Sequence, residues 1–460
     1  MELPCTSAQR VFSHCFRLIS SVTQRLFLTG FLVIRLLTGC TESHSSRLVS
    51  TLSARQTAIT QTGSSSVLLR HGHPFFIRGV GGQSRFGRLR EAGGNSVRTW
   101  DDSDADHILN QAQQSGLTVF MGLWIERQKD GFNYYDQRAV DKQFERIRKT
   151  VLTYRHHPAL LMWCVGNEWE LDASNIRVFD EINRVAAMIH ELDPDHPVAT
   201  AIMLTTARQI RLVGDRCPEI DVLGINVYGA LSQAQKLLQE GGWKRPYVVS
   251  EFGPRGYWES ELTPWRTSIE PTSQEKYEFV RFNYEHYIDS RPPHCLGSYL
   301  FLWGTQEEGT HTWYSCFDEQ GRETPLVGLM QRLWTKSAPD NQAPVVEYLL
   351  VDGRRTTAMS FADAKSIHQA RIVTHDADGD SLSYAWEIRL DLDDFHTGVR
   401  NSAPSVPISG LITDWEAPEI QFGLPKQAGN YRLFAYVYDT HRHVATANLS
   451  FRVTAITAQQ

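Results

Sequence analysis

Short apolar runs alternate with amphipathic stretches through the middle of the chain. Eight of these runs have the length of buried strands. They are Phe75–Val80, Asn95–Trp100, Leu117–Trp124, Leu160–Trp169, Pro197–Met203, Asp221–Tyr228, Tyr247–Phe252 and Leu296–Trp303. Helical patterns lie between them, most clearly at Asp136–Tyr154, Ile176–Leu192 and Gln274–Ile288. Eight strands that alternate with helices over about 270 residues predict an α/β fold of the (β/α)8, or TIM-barrel, type.

A doubly wound open sheet is the structural alternative to the barrel. That fold usually carries a glycine-rich phosphate loop after its first strand. The glycines at the end of the first predicted strand and just after it, Gly79, Gly81 and Gly82, lack the spacing of such a loop. We therefore assign residues 67–337 to a TIM barrel, which a helix near Leu326–Trp334 is expected to close.

The pattern changes after Lys336–Pro344, a stretch with the composition of a linker. Short alternating strands follow at Ser381–Ile388, Tyr431–Tyr438 and Ala445–Val453. Residues 338–460 are therefore predicted to form a small all-β sandwich of immunoglobulin-like type. Because a linker precedes this module, we expect it to fold on its own.

An acidic run lies within this C-terminal module. Asp376, Asp378 and Asp380 occupy alternate positions in His375–Asp380, which resembles the calcium-associated repeats of cadherin-like and polycystic-kidney-disease-type modules. Carboxylate oxygens at this spacing are candidate Ca²⁺ ligands. A polar turn between two strands is the alternative, and no other metal or cofactor is predicted.

The first 40 residues have the pattern of a targeting segment. Three arginines accompany the apolar run Leu26–Ile34, which is too short to span a membrane and suits the core of a signal sequence. The following Leu37–Cys40 resembles the lipobox of bacterial lipoproteins. That resemblance implies cleavage before Cys40 and attachment of lipid to its thiol. An uncleaved or plainly secreted N-terminus is the alternative.

Residues 41–66 are rich in Ser and Thr and predict a flexible tether, with ordered structure beginning near Val67. The expected product is an exported lipoprotein of the bacterial envelope that contacts the membrane through its lipid alone. The formal net charge is −6 and no long basic run is present, which argues against a nucleic-acid partner.

Two of the predicted barrel strands end in a glutamate. Glu168 follows the apolar run that begins at Leu160, and Glu251 follows the run that begins at Pro246. Because the C-terminal ends of barrel strands meet at one rim, both carboxylates are expected in one site. Glycosidases require such a pair. For either residue alone, a carboxylate that only caps the next helix is the alternative.

The stretch from Tyr154–Pro158 to Gly166–Glu168 resembles the TIM-barrel domain of glycoside hydrolase family 2. More broadly, the chain resembles the clan of retaining (β/α)8 glycosidases. The resemblance implies that Glu168 is the general acid/base and Glu251 the nucleophile.

The resemblance also implies four residues that surround the substrate. Asn167 would bond the sugar 2-hydroxyl, and Arg98 would keep the nucleophile ionised. Tyr228 would donate a hydrogen bond to the nucleophile, and Trp303 would lie beneath the sugar ring.

Two further tryptophans are candidate substrate contacts. A long loop at Gly253–Ser273 carries Trp258 and is expected to form one wall of the site, since loops of this length are usually functional. Trp124 ends the third predicted strand and is a second candidate. Trp100 and Trp313 are weaker ones.

These observations together predict a retaining glycoside hydrolase that cleaves β-linked oligo- or polysaccharides by double displacement, without a cofactor. A transglycosidase with the same residues, in which a sugar replaces water as the acceptor, is one alternative. A non-catalytic carbohydrate-binding lipoprotein is another, although binding alone does not require the glutamate pair.

Overall fold

The computed structural model describes residues 56–171, 174–363, 365–391 and 405–454. The predicted signal segment at residues 1–40, its lipidation residue Cys40 and the first part of the tether lie outside these ranges and stay predictions. Within the described ranges, no helix combines the length and the apolar character needed to cross a membrane.

The described chain begins with a small antiparallel sheet. Its strands are β1 (Thr57–Thr62), β2 (Ser65–Arg70) and β3 (His73–Pro74). The prediction of a flexible tether up to Ser66 is therefore wrong for residues 57–66. Ser and Thr are common in linkers, but threonine and isoleucine are also good strand formers. Here alternate residues of β2, including Leu68, are buried against the barrel.

Eight parallel strands form a closed barrel in the order β10-β11-β4-β5-β6-β7-β8-β9. These strands are β4 (Ile77–Gly81), β5 (Ser96–Arg98), β6 (Thr118–Leu123), β7 (Leu160–Asn167), β8 (Val198–Met203), β9 (Val222–Asn226), β10 (Tyr247–Phe252) and β11 (Cys295–Leu300). All eight lie where the apolar runs predicted strands. The predicted TIM-barrel fold is confirmed.

Helices surround the barrel. They are α1 (Phe86–Glu91), α2 (Ala105–Gln114), α3 (Gln137–Tyr154), α4 (Arg177–Leu192), α5 (Ala207–Arg216), α6 (Ala234–Glu240), α7 (Ser273–Tyr287) and α8 (Pro325–Thr335). Local signals define several of their starts. The Asp136 carboxylate accepts hydrogen bonds from two backbone N–H groups at the start of α3, and Thr272 and Glu275 form a capping box at the start of α7.

The barrel buries two apolar layers. Large side chains such as Phe120, Met162 and Tyr299 fill its interior, while a larger core lies between the strands and the helices. The sheet of β1–β3 covers the N-terminal end of the barrel. Leu68 packs into the interior cluster, and the Arg70 guanidinium donates to the backbone oxygen of Leu160 at 2.6 Å. The opposite end of the barrel is the one at which Glu168 and Glu251 lie.

A two-layer β-sandwich follows the barrel, as predicted. One sheet has the order β13-β12-β15-β18-β17 and the other β14-β20-β19-β16. The strands are β12 (Val345–Val351), β13 (Arg354–Arg355), β14 (Ala358–Phe361), β15 (Ile367–His375), β16 (Ser383–Leu390), β17 (Ile412–Thr413), β18 (Glu419–Gly423), β19 (Gly429–Tyr438) and β20 (Val444–Val453). A separate apolar core fills the space between the sheets.

Buried charges join the sandwich to the barrel. Lys276 Nζ lies 2.5 Å from Glu270 Oε1, and Arg432 Nη2 lies 3.1 Å from Asp391 Oδ2. Arg432 Nη1 is 3.8 Å from Glu270 Oε2 and links the two pairs. We call these four residues the junction cluster. Each of their side chains is at most 4% exposed, so this contact argues against the expectation that the sandwich folds on its own.

The acidic run of the sandwich forms a turn. Asp376 Oδ1 accepts hydrogen bonds from the backbone N–H groups of Asp378 and Asp380. The three carboxylates do not converge, so the predicted ligand set is wrong. Among the described residues, Asp380 instead groups with Asp439 and His441, within 4.8 Å of one another. Exposed acidic groups of this kind are common without a metal ion, and we assign none.

Candidate active site

The two strands that carry the glutamates are irregular at the same level of the barrel. Between Cys164 and Asn167, β7 contains one residue more than the facing segment of β8. Between Val249 and Glu251, β10 likewise contains one residue more than the facing segment of β9. An extra residue in a strand redirects the side chain that follows it. Both irregularities come directly before a carboxylate and turn it toward the barrel mouth.

The backbone of β7 ends in an uncommon conformation. Gly166 has a φ of 77°, and a Cβ there would lie 2.6 Å from Trp169 Cδ1. Glu168 itself has a φ of 49°, a value that few non-glycine residues adopt. Its N–H is held by the backbone oxygen of Ala201 at 2.9 Å. Outliers of this type concentrate at functional sites, where the surrounding structure maintains them.

Glu251 accepts three hydrogen bonds from buried or half-buried donors. Arg98 Nη1 and Trp100 Nε1 donate to Oε1 at 2.6 and 2.7 Å, and the Tyr228 hydroxyl donates to Oε2 at 2.8 Å. An ionised carboxylate only accepts hydrogen bonds, so three donors match that form. Arg98 is fully buried. Burial lowers the pKa of Arg98, but the Glu251 carboxylate outweighs this effect and raises it, so the guanidinium stays charged.

Glu168 has a different environment. Among the described residues its side chain accepts one hydrogen bond, from Asn226 Nδ2 at 2.9 Å. Burial, followed by the negative charge of Glu251, raises the pKa of Glu168 above its ordinary value. The same Asn226 nitrogen also donates to Asn167 Oδ1 at 3.0 Å. The environment of Glu168 therefore suits a proton donor, whereas the three hydrogen-bond donors around Glu251 suit a carboxylate.

Amides and a guanidinium connect the two glutamates. Asn167 Oδ1 accepts from Arg98 Nη2 at 2.6 Å as well as from Asn226, and Ser250 Oγ donates to Asn226 Oδ1 at 2.7 Å. Asn226 was not predicted as a site residue, although it lies two residues before the end of the predicted strand Asp221–Tyr228. Its position at the C-terminal end of β9 was the available signal.

The chain was compared with known proteins. Residues 88–275 match the model described as the glycosyl hydrolases family 2, TIM barrel domain. This part of the barrel is thus similar to the TIM-barrel domain of glycosyl hydrolases family 2. A curated beta-glucuronidase of Pongo abelii is 24% identical over 234 residues, which are 43% of this chain and 33% of that protein. The Homo sapiens beta-glucuronidase is 23% identical over 223 residues, or 41% of this chain and 32% of that protein.

The chain thus spans about a third of the length of the curated relatives that it matches. Solved structures with a similar fold include a beta-glucuronidase of Bacteroides uniformis, with a TM-score of 0.46 and 16% identity over 86% of this chain and 48% of that one. A GH2 beta-galacturonidase of Eisenbergiella tayi gives a TM-score of 0.48 and 16% identity over 61% of this chain and 54% of that one.

Aromatic side chains surround Tyr228, which donates a hydrogen bond to Glu251. The Tyr228 ring makes edge contacts with Trp258 at 5.4 Å and with Phe301 at 6.1 Å, and it lies 5.6 Å from the Tyr314 ring. Phe301 also makes an edge contact with Trp100 at 5.7 Å. The long loop therefore brings Trp258 to the site, as predicted.

Trp303 does not lie in the site. It is 1% exposed and belongs to the core outside the barrel, where its ring makes an edge contact with Phe317. The position beneath the sugar ring that the resemblance implied for Trp303 is therefore wrong. Strand β11 ends at Leu300, so the regular alternation of side chains does not extend to Trp303. Phe301, and not Trp303, contacts Trp100 and Tyr228.

Trp124 follows the end of β6 and is half-exposed. Its N–H donates to Glu126 Oε2 at 3.3 Å, and Arg127 lies over its ring at 5.1 Å. Within the described ranges no hydrogen bond joins it to Glu168 or Glu251. The residues that the structure does bring together are Arg98, Asn167, Glu168, Tyr228, Glu251 and Trp258.

A third carboxyl group lies close to the site but is sealed from solvent. Glu170 is 6% exposed, and its Oε1 accepts from the backbone N–H of Met203 at 2.8 Å. Among the described residues its buried Oε2 has no hydrogen-bond partner. Burial raises the pKa of Glu170 to about 8, so this carboxyl is largely protonated at neutral pH.

Proposed function

We propose that the chain is a retaining glycoside hydrolase that acts on β-linked oligo- or polysaccharides. This proposal rests on one observation: two carboxyl groups in the same hydrogen-bonded network have different hydrogen-bond partners and different electrostatic environments. Glu251 accepts three hydrogen bonds, one of them from a buried cation, whereas Glu168 has one amide partner and a raised pKa. Pairs of carboxyl groups whose environments separate their protonation states divide acid and base roles.

In the first step Glu251 attacks the anomeric carbon and Glu168 donates its proton to the leaving glycosidic oxygen. The product is a glycosyl ester on Glu251 together with the released aglycone. In the second step Glu168 removes a proton from water, which attacks the anomeric carbon and expels the Glu251 carboxylate. The sugar is released with its configuration retained.

The network explains how Glu168 can change roles. The charge of Glu251 raises the pKa of Glu168 in the free enzyme. That charge disappears when Glu251 becomes an ester, so the pKa of Glu168 falls and the carboxylate can act as a base. The Glu168 carboxyl group therefore has a higher proton affinity in the first step, when it acts as an acid, than in the second step, when it acts as a base.

Asn167 is placed to recognise the sugar. In the described part of the chain both of its side-chain hydrogen bonds use Oδ1, with Arg98 and Asn226 as the donors. Its Nδ2 group remains to donate to a sugar hydroxyl beside Glu251. Phe301 and Trp258 supply the aromatic surface around this position.

The decisive experiment follows the anomeric configuration of the product by NMR during hydrolysis of aryl β-glycosides. A panel of β-glucoside, β-galactoside, β-mannoside and β-glucuronide would identify the sugar, since the curated relatives are named beta-glucuronidases. We expect retention. A 2-deoxy-2-fluoro glycoside of the accepted sugar should label Glu251. Inversion, or labelling of a different residue, would overturn the mechanism.

A Glu168→Ala variant tests the acid. Hydrolysis of a substrate with a poor leaving group should fall by ~10²–10⁴-fold. Formation of the glycosyl ester from a substrate with an activated leaving group, such as a dinitrophenolate, should fall much less, because that oxygen departs without protonation. Equal losses on both substrates would contradict the role of Glu168 as the acid.

We also propose export and lipid attachment at Cys40, on the basis of the N-terminal pattern. A Cys40→Ser variant should move from the membrane fraction to the soluble fraction. Unchanged fractionation would exclude the lipid anchor and leave the catalytic proposal intact.

A further inference from the structure

A cavity lies where the barrel meets the sandwich, and neither Glu168 nor Glu251 lines it. It has a volume of about 490 Å³, within the ~300–1,000 Å³ typical of small-ligand sites. The segment between β11 and α8 forms one wall, and strands β16 and β19 of the sandwich form the other. We call it the junction cavity. The residues important for the argument are His311, Arg322, Glu387, Arg389, Trp415 and Tyr438.

Aromatic rings line the sandwich side of the junction cavity. The rings of Tyr436 and Tyr438 are parallel to within 2°, with centroids 6.3 Å apart. Trp415 also lines the cavity and is 51% exposed, which is unusual for so large an apolar side chain. The nearby Trp386 N–H donates to the backbone oxygen of Ala417 at 2.8 Å and fixes the loop that carries Trp415.

Polar groups in the junction cavity are held in fixed positions. Glu387 Oε1 accepts from Arg389 Nε at 2.7 Å and from the Tyr436 hydroxyl at 2.5 Å, and His311 Nε2 is 3.6 Å away. Among the described residues these contacts all involve Oε1. The second oxygen of Glu387 is therefore left as an acceptor for a ligand.

Most charges of the cavity are paired. Glu387 pairs with Arg389, and Asp318 pairs with Arg322 at 2.5 Å, while Glu319 adds one further carboxylate to the lining. Burial lowers the pKa of His311 to about 4, so this ring is neutral at pH 7. The small negative excess does not favour an anionic ligand. Aromatic rings beside fixed hydrogen-bonding groups suit a ligand with apolar C–H faces and many hydroxyl groups.

The same segment of chain serves both sites. On one side Tyr314 packs against Tyr228, the residue that donates to Glu251. On the other side His311 and Ser315 line the junction cavity, and the Ser315 hydroxyl donates to the His311 backbone oxygen at 2.8 Å. A glycan that extends from the active site across this rim would reach the cavity.

We propose that the junction cavity is a second saccharide-binding site, which holds a neutral glycan segment away from Glu168 and Glu251. The choice of a saccharide as the ligand rests on the proposed glycosidase function. The site would favour polymeric substrates over small glycosides, because only a polymer can occupy both positions at once.

Binding can be measured by affinity electrophoresis in gels that contain barley β-glucan, laminarin, xylan or glucomannan. The full-length Glu251→Gln protein serves as the parent, so that the polysaccharide is not degraded. We expect retardation by at least one polysaccharide. A further Trp415→Ala change should weaken this binding at least tenfold, and Trp415→Phe should retain most of it. Phe282→Ala removes an aromatic side chain of similar exposure on α7 and should leave retardation unchanged.

In the active enzyme, Trp415→Ala should lower the ratio of kcat/KM on the polysaccharide to kcat/KM on a small aryl glycoside. Absence of retardation by every polysaccharide, or retardation that Trp415→Ala leaves unchanged, would overturn the proposal even if aryl glycosides are hydrolysed. Conversely, retardation that depends on Trp415 in a protein without hydrolytic activity would uphold the site and refute the glycosidase function.

Discussion

Buried charges occur at the barrel mouth and in the junction cluster, and the two sets are composed differently. At the mouth, Glu168 and Glu251 share one buried cation, Arg98. In the junction cluster, two acids face two bases. Burial raises the pKa of Glu270, but Lys276 and Arg432 outweigh that effect and lower it, and Thr310 donates to the same carboxylate at 2.6 Å.

The ratio of acids to cations distinguishes a reactive set of charges, at the barrel mouth, from a structural set, in the junction cluster. A carboxyl group in excess over its cations has a raised pKa, as Glu168 does through burial and the charge of Glu251. A carboxylate that is fully paired remains ionised and fixes the elements around it. We therefore expect changes at the mouth to alter turnover, and changes in the junction cluster to alter stability.

The largest effect should come from one isosteric substitution made in each set. Glu251→Gln should lower kcat by at least ~10⁴-fold while the melting temperature stays near that of the parent, because the nucleophile is lost but the shape is kept. Glu270→Gln should retain kcat per folded molecule and melt at a lower temperature. Turnover assays and thermal unfolding of both variants check the comparison. A catalytic defect in Glu270→Gln comparable to that of Glu251→Gln would break it.

A second prediction concerns the stability that the junction cluster provides. Lys276→Met leaves Glu270 buried without its nearest cation and should lower the free energy of unfolding by about 3–5 kcal/mol. Arg281 on the same helix α7 forms exposed pairs with Glu278 and Glu285, so Arg281→Met should cost about 1 kcal/mol or less. If chemical denaturation gave equal losses in the free energy of unfolding for the two variants, the junction cluster would stabilise the protein no more than an exposed ion pair does.

The third prediction uses pH. The pKa of Glu170 is about 8 in the folded protein and ordinary when unfolded, so between these values only the folded state holds the proton. The stability of the parent should therefore fall as the pH rises through this window. Glu170→Gln should remove this part of the decline, on the order of a few kcal/mol between pH 5 and 8. Glu240→Gln, at an exposed position, is the control; parallel stability curves for Glu170→Gln and the parent would contradict the prediction.

The smallest effects should come from the two neutral donors to Glu251. Trp100→Phe and Tyr228→Phe each remove one hydrogen bond but leave Arg98, so each should lower kcat/KM by about 10–100-fold. Because both act on the same carboxylate, the double variant should lose less than the product of the two single effects. Strict additivity in this double-mutant cycle would show that the two donors act independently.

The sequence was most informative where apolar periodicity alone determines structure. The barrel strands and the placement of Glu168 and Glu251 follow from buried runs that end in polar residues. It misled at Trp303, because the side-chain alternation holds only within a strand and β11 ends before Phe301. Simple alternation of side chains also fails in β10. The extra residue there directs Glu251 to the mouth of the barrel, while Val249 lies in the core outside the barrel.

The junction cluster had no local signal in the sequence. Glu270 and Arg432 lie far apart along the chain, and each alone is typical of an exposed charged residue. The donor role of Trp100 was also missed, since nothing in its flanking residues specifies what its N–H contacts. The small sheet of β1–β3 was missed because Ser- and Thr-rich composition was taken as evidence of a linker.

The sheet of β1–β3 makes the two ends of the barrel different. It seals the N-terminal end, and Thr57, near the start of the described chain, is bonded there to the backbone oxygen of Asp195. The described chain therefore joins the barrel at the end that this sheet covers. The saccharide that we propose as substrate would enter and leave at the opposite end, where Glu168 and Glu251 lie at the ends of β7 and β10, without passing the segment that leads into β1.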